Sequence, residues 1–278
     1  MRRGWLAMPM VLAGVALAGV ALAGVALAGV ALAGCGNGSG SNAASGGSTS
    51  PAGGLSGTVT VFAAASLTGS FGTLGKQFEA AHPGVTVKFN FAASSALAGS
   101  ISQGAPADVF ASASTKSMDS AVESGDASDP TTFAKNVMEI AVPPANPGAV
   151  NGLSDLTRSG LKIALCQPQV PCGTTALEVF DNAKITVKPV TLGADVKAVL
   201  TAVQLGEVDA GVVYRTDVQA AGAKVKGIEI PAGQNASTSY PIATLTSAPN
   251  AAAARAFVDY VLSADGTKVL TEAGFANP

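Results

Sequence analysis

The chain has 278 residues, and its 16 Lys and Arg against 18 Asp and Glu leave a formal net charge of −2, which excludes a nucleic-acid partner held through a basic surface. Aromatic residues make up 5% of it, and most fall where helical and strand periods turn them inward, which argues against an aromatic patch for a host or cell-wall partner. An anionic ligand is not excluded, because helix termini and backbone dipoles bind anions without net positive charge.

The amino-terminal stretch follows the logic of export rather than packing. Arg2 and Arg3 supply a positive start, and a long apolar run leads into four tandem VALAG units that end at Cys35. The period is too short for a solenoid and the run too apolar for a linker, so it reads as a membrane-inserting leader. Its length is also about that of an uncleaved bilayer span. The ending LAGC, Leu32 to Cys35, resembles the lipobox of bacterial lipoproteins. That resemblance implies a signal peptide over residues 1–34, cut before a lipidated Cys35 that holds the protein at the extracytoplasmic face of the cell membrane. Residues 35–57 then form a Gly/Ser-rich tether that cannot bury enough apolar surface to order itself. About 220 residues remain from Thr58, enough for one large domain or two modest lobes.

From Thr58 short β-branched runs alternate with segments of helical period, which predicts an α/β architecture with largely parallel sheets flanked by helices. TVTVFAAA is the first strand. In SLTGSFGTLGKQFEAAHPG, Leu67, Phe71, Leu74 and Phe78 share one helical face, and Pro83 and Gly84 stop the helix. VTVKFNF and ADVFASA continue the strands, each followed by a helix in SALAGSISQG and TKSMDSAVESG, and KNVMEIAVPP is a strand leaving this unit. A second set follows: LSDLTRSG as a short helix, LKIALC as a strand, GTTALEVFDNA as a helix and ITVKPVTLG as a strand. ADVKAVLTAVQLGE places Val196, Val199, Leu200 and Val203 on one helical face. VDAGVVY is a further strand, YPIATLTSA a return strand, and AAAARAFVDYVLSADGTKVLTEAGF a closing helical pair. The order predicts one lobe from residues 58–139 joined by 244–278, and a second from 140–243.

With Cys35 assigned to lipid, Cys166 and Cys172 in LCQPQVPCG remain. An exported chain sits where disulfides persist, so these two are expected to pair. A metal site fits poorly: the only histidine, His82, lies at a helix end in AAHPG, and no C-x-x-C pattern accompanies it.

Ligands of open α/β sheets bind beyond the carboxyl ends of strands, where helices begin. Ser66 lies there after VFAAA, and Ser94 and Ser95 lie there after FNFAA. GTTALE after Cys172 and ADVKAV after Gly193 supply two more helix starts. Each alone reads as an ordinary cap. Several such termini converging from both lobes make an anion socket of unpaired N–H groups and positive dipole ends.

The run from VTVFAAASL through FNFAASSALAGSISQGAPADVFASAS, with VPCG, GADVKAVL and DAGVVYRTD further on, resembles the ModA-type molybdate-binding proteins of ABC importers. The likeness extends from Thr58 to the end of the chain. It implies a type II periplasmic-binding-protein fold, two lobes with the cleft between them, closing over one tetrahedral oxyanion, molybdate or tungstate. Carried over by position, Ser66 and Ser94 each give a hydroxyl and a backbone N–H, Cys172 and Val196 give backbone N–H groups, and Tyr214 gives a phenolic donor; Ser95 is the alternative to Ser94. Small apolar residues are usual where Cys172 stands, so that cysteine departs from the pattern. The resemblance implies as partners a permease and its ATPase, with no cofactor, no direct protein ligand to the metal of the oxyanion, and a monomeric protein.

The chemistry agrees. Molybdate, tungstate and sulfate are bare dianions at neutral pH and only accept hydrogen bonds, which suits a socket of donors. Phosphate keeps a proton and wants an acceptor. Asp195 stands beside Val196, but as a helix cap its carboxylate has partners of its own. Asp108 reads as a loop-fixing residue and Arg215 as a solvated one. An enzyme is disfavoured: His82 sits at the far end of its helix from Ser66, and neither a G-x-S-x-G elbow nor a G-x-x-x-x-G-K-[ST] loop is present. The remaining alternatives are a binder of another oxyanion such as sulfate, and a surface lipoprotein without a transport role.

Overall fold

Strand β1 (Gly57–Ala64) buries Val59, Val61 and Ala63 on one face and Phe62 on the other, the period-2 consequence of a strand covered on both sides. It pairs in parallel with β2 (Val85–Ala92) from Gly57↔Val85 to Ala64↔Ala92, and on its other side with β3 (Val109–Ala111). Parallel neighbours need crossovers. Here these are helices α1 (Thr68–Ala81) and α2 (Ser94–Ser102). Phe71, Leu74 and Phe78 of α1 are buried as their spacing predicts, while Leu67 sits in the 3₁₀ turn Ala65–Leu67 that precedes the helix. At Gly75 a Cβ would come within 2.6 Å of the Phe89 ring, so the absence of a side chain sets how closely α1 lies on β2. This computed structural model describes residues 54–278; the leader over 1–34, the lipidation site Cys35 and the tether as far as residue 53 lie outside them. Among the described residues no helix is long and apolar enough to cross a membrane.

Helix α3 (Thr115–Glu123) follows β3, and the chain then enters β4 (Thr131–Val142). After a 3₁₀ turn at Leu153–Thr157, where a short helix was expected, β5 (Ile163–Cys166), α4 (Pro171–Ala183), β6 (Thr191–Gly193), α5 (Val196–Gln204) and β7 (Ala210–Tyr214) form a second parallel group with β5 in its middle. Helix α4 starts two residues before the expected GTTALE, at Pro171, whose missing N–H costs nothing in a first turn. The stretch ITVKPVTLG yields a strand only at its last three residues, because Pro189 cannot donate to a ladder. The four large apolar residues of α5, Val196, Val199, Leu200 and Val203, are buried.

Helix α6 (Arg215–Ala221) leads to β8 (Lys226–Glu229) and β9 (Ser237–Thr244). The strand order is β2-β1-β3-β9-β4-β7-β5-β6, with β8 also on β4. Parallel groups therefore occupy the two ends, and the centre is antiparallel: β9 against β3 and β4, and β4 against β7 and β8. The expectation of largely parallel sheets describes the ends and leaves out this centre. Strand β4 belongs to both sides, since Thr131–Val137 pairs with β9 and Met138–Val142 with β7 and β8. The closing helices α7 (Ala251–Leu262) and α8 (Ala264–Glu272) place Phe257, Val261 and Leu270 in the apolar cluster of β1 and α1. A separate cluster gathers Ile140, Leu165, Val179, Val199 and Val212 around the second parallel group.

Candidate functional site

Five strands of the two parallel groups, β1, β2, β5, β6 and β7, give way to helical turns at the same place. The 3₁₀ turn after β1 carries Ser66, α2 begins at Ser94 after β2, α4 has Cys172 in its first turn after β5, α5 begins at Val196 after β6, and Tyr214 is the last residue of β7 before α6. These five residues line one recess, with alanines 64, 65, 92, 93 and 113 forming much of the rest of its wall. All five are buried. Counting its mouth, the recess has about 220 Å³ of space, of which only about 10 Å³ admits the centre of a water-sized sphere. The enclosed part is about the size of one water, too little for a sugar or peptide. Ser95, one residue on, turns away and lines a separate hollow with Ser102, Ser120 and Lys116.

The polarity of the recess can be read from its hydrogen bonds. The Ser94 Oγ accepts the Ala113 N–H at 2.8 Å, which leaves its own proton to be donated. The Ser66 Oγ lies 2.8 Å from Tyr240 Oη. Tyr214 Oη is the one buried side-chain oxygen or nitrogen among the described residues with no hydrogen-bond partner, an arrangement that costs about 1–3 kcal/mol unless something else satisfies it. Burial first, and then the neighbouring Tyr240, hold the Tyr214 phenol well above its ordinary range; the nearby Thr175 hydroxyl only partly opposes this, and because it donates to the Pro171 carbonyl at 2.9 Å its approach to the phenol does not amount to a well-formed hydrogen bond. Tyr214 therefore keeps its proton and is a donor. The backbone adds more of the same sign, since N–H groups in the first turn of a helix have no carbonyl four residues back.

No Lys or Arg lines the recess. Asp195 does, but its Oδ1 accepts the Ala198 N–H at 3.0 Å as the cap of α5. Lys197 points away from the recess to Asp217, with Nζ 2.7 Å from Oδ1. The buried Asp217 also accepts the Tyr214 N–H at 3.3 Å and so pins the start of α6. Its pKa is raised by burial, with Lys197 working against the shift. Asp108 lies elsewhere, fixing the Thr60 and Asn250 N–H groups at 2.7 and 2.6 Å. Arg215 is exposed, and the His82 ring lies against Phe78 of its own helix, 3.0 Å from its carbonyl and 4.3 Å between ring centroids. A disulfide joins Cys166 to Cys172 and ties the end of β5 to the first turn of α4. The loop it closes is tight, since a Cβ on Gly173 would collide with the Gln167 carbonyl. Among the described residues no group of three or more His, Cys, Asp and Glu could hold a metal ion. Tyr240 and Ala113, which set the serines, carry no local motif that marks them in the sequence; Tyr240 is 174 positions from its partner Ser66.

The family model described as bacterial extracellular solute-binding protein matches residues 59–276. The molybdate-binding protein ModA of Mycobacterium tuberculosis is 43% identical over 233 residues, covering 83% of this chain and 89% of that protein. Among solved structures, the substrate-binding domain of a putative molybdenum ABC transporter from Clostridium difficile is 30% identical with a TM-score of 0.60, covering 80% of this chain and 99% of that one. The periplasmic molybdate-binding protein of Azotobacter vinelandii has a TM-score of 0.71 at 22% identity over 79% of this chain and 99% of its own, a likeness of fold. A fold of two parallel groups joined by antiparallel strands, a small recess at their helix starts and a relative at 43% identity over most of both chains lead to one assignment: the chain belongs to the ModA family of bacterial extracellular solute-binding proteins.

Proposed function

We propose that the protein is the extracytoplasmic substrate-binding component of a molybdate or tungstate ABC importer. The observation that carries this reading is the concentration of donors in a small recess: Ser66, Ser94 and Tyr214 offer hydroxyl protons, and no basic side chain lines the wall. In this reading the ion accepts from the hydroxyls and N–H groups of Ser66 and Ser94, from the N–H groups of Cys172 and Val196, and from the Tyr214 phenol. Each bond to a charged acceptor contributes about 1.5–3 kcal/mol, and several together offset the desolvation of a dianion without a counter-charge. The Asp195 carboxylate on the wall caps α5 through Oδ1 and keeps Oδ2 as an acceptor, so rejection of a protonated oxyanion requires that this oxygen stay turned out of the recess. Size then separates molybdate and tungstate from the smaller sulfate.

The finer points belong to the same proposal. Lobes of residues 58–139 with 244–278, and of 140–243, close over the ion, and a permease reads the closed form. The protein acts as a lipid-anchored monomer held through Cys35, without cofactor or catalytic activity, and the partner ATPase supplies the energy. Calorimetric titration of the purified protein tests the reading: tight binding of molybdate and tungstate is expected, with weak binding of sulfate and none of phosphate. Equal responses to all four anions would remove the specificity, and sulfate preferred over molybdate would make it a sulfate binder.

A further inference from the structure

Ser66 can serve an anion only if its proton faces the recess, and a serine hydroxyl rotates freely unless a neighbour fixes it. That neighbour is Tyr240 on β9, which is fully buried and does not itself line the recess. Its ring is held edge-on by Phe133, Tyr214 and Phe275 at centroid distances of 6.2, 6.2 and 5.3 Å. Behind it stands Asn136 of β4, 2% exposed. The Asn136 Oδ1 accepts the Val137 N–H at 3.0 Å, and because a backbone N–H only donates, the amide oxygen must face it. The amide nitrogen then faces Thr216 Oγ1 at 2.9 Å and Tyr240 Oη at 3.4 Å.

An amide nitrogen can only donate, so the Tyr240 oxygen receives its hydrogen. The phenol's own proton then has the Ser66 Oγ as its acceptor, and the Ser66 proton is left to turn toward the recess. We infer that Asn136 and Tyr240 are positioning residues that fix Ser66 as an obligate donor and thereby tune the site against oxyanions that carry a proton. Burial, only partly offset by the bonds to Ser66 and Asn136, holds the Tyr240 phenol above its ordinary range, so it keeps the proton that this polarity requires. On the opposite serine the Ala113 N–H does the same work, but no side-chain substitution can remove it. Tyr240 is thus the place where the polarity of the socket is open to mutation.

The inference rests on the oxyanion reading above, and the test separates the two. In the full chain purified in detergent, the dissociation constant for molybdate is measured by titration, and the hydrogen phosphate concentration that displaces it, or a lower bound where none does, by competition, in wild type, Tyr240→Phe and Asn136→Asp. Tyr240→Phe keeps the ring and frees an Oγ lone pair on Ser66; the molybdate affinity is expected to fall about tenfold or more, and the preference for molybdate over hydrogen phosphate to narrow by about the same factor. Asn136→Asp places an acceptor behind Tyr240, draws its proton away from Ser66 and narrows the preference in the same sense. Equal losses for both anions in the two variants, or no change in their ratio, would reduce Tyr240 to a packing residue and overturn the inference while wild type still binds molybdate tightly. A wild type that binds neither molybdate nor tungstate overturns the oxyanion reading itself, and this inference with it.

Discussion

The wall of the recess that follows β1 and β2 presents side-chain hydroxyls, Ser66 and Ser94, whereas the wall that follows β5 and β6 presents the first turns of α4 and α5 at Cys172 and Val196. The first wall depends on what stands behind it. Each serine oxygen has a partner from a distant strand or loop, Tyr240 for Ser66 and the Ala113 N–H for Ser94. The second wall needs only that a helix begin there, because first-turn N–H groups are unpaired whatever the side chain. Function placed on side chains is exposed to substitution, and function placed on backbone is not. This difference explains how a disulfide cysteine can stand in the wall of the recess at position 172 without altering the wall's polarity.

Three measurements would break or sharpen the contrast. The largest effect is expected from Ser66→Ala combined with Ser94→Ala. Two hydrogen bonds to a charged acceptor are worth about 1.5–3 kcal/mol each, so calorimetry should show a loss of molybdate affinity of roughly 10²- to 10⁴-fold. Because the buried Tyr240 phenol and Ala113 N–H each lose a partner, a stability loss of about 1–3 kcal/mol per site accompanies it, and affinity is compared only where the variant is folded; unchanged affinity would put the ion elsewhere.

Tyr214→Phe is expected to act in two directions at once. Molybdate affinity should drop about tenfold, while the ligand-free protein gains up to about 1 kcal/mol because an unpartnered buried hydroxyl is gone. Parallel titration and chemical denaturation read both signs, and a loss of stability would show that the phenol already has an internal partner. The smallest effect on affinity belongs to the backbone wall. Replacing both Cys166 and Cys172 by Ala should cost about 2 kcal/mol of stability through the lost cross-link and weaken molybdate binding by no more than about threefold, since the N–H at position 172 survives. A loss as large as that of the serine pair would mean that the disulfide, and not the helix start, holds that wall in place.

Much of this arrangement is legible in the amino-acid sequence, and the reasons are local. The helical spacing of Leu67, Phe71, Leu74 and Phe78 and of Val196, Val199, Leu200 and Val203 marks faces that are buried, and Ser66 and Ser94 stand where strands give way to helices. Sequence leaves Ser94 and Ser95 undecided because adjacent residues at a helix start differ by about 100° in direction, and only the placement of α2 on its sheet selects Ser94. Strand β8, KGIE, is short and charged at both ends and carries no alternation to find. The antiparallel centre escapes for a different reason. Pairing of β4 with β9 joins residues about a hundred positions apart, and so does the reach of Asn136 to Tyr240, 104 positions along the chain. Periodicity reports what each segment buries, not which distant segment it meets.

Strand β4 carries one further lesson. Its backbone is shared between the two sides of the sheet without a break, changing partners between Val137 and Met138. If the two walls part to release an ion, this ribbon carries one chain crossing between them and residues 230–236 ahead of β9 carry another. Its ladders to β9 on one side and to β7 and β8 on the other would then bring the donors of both walls back into register.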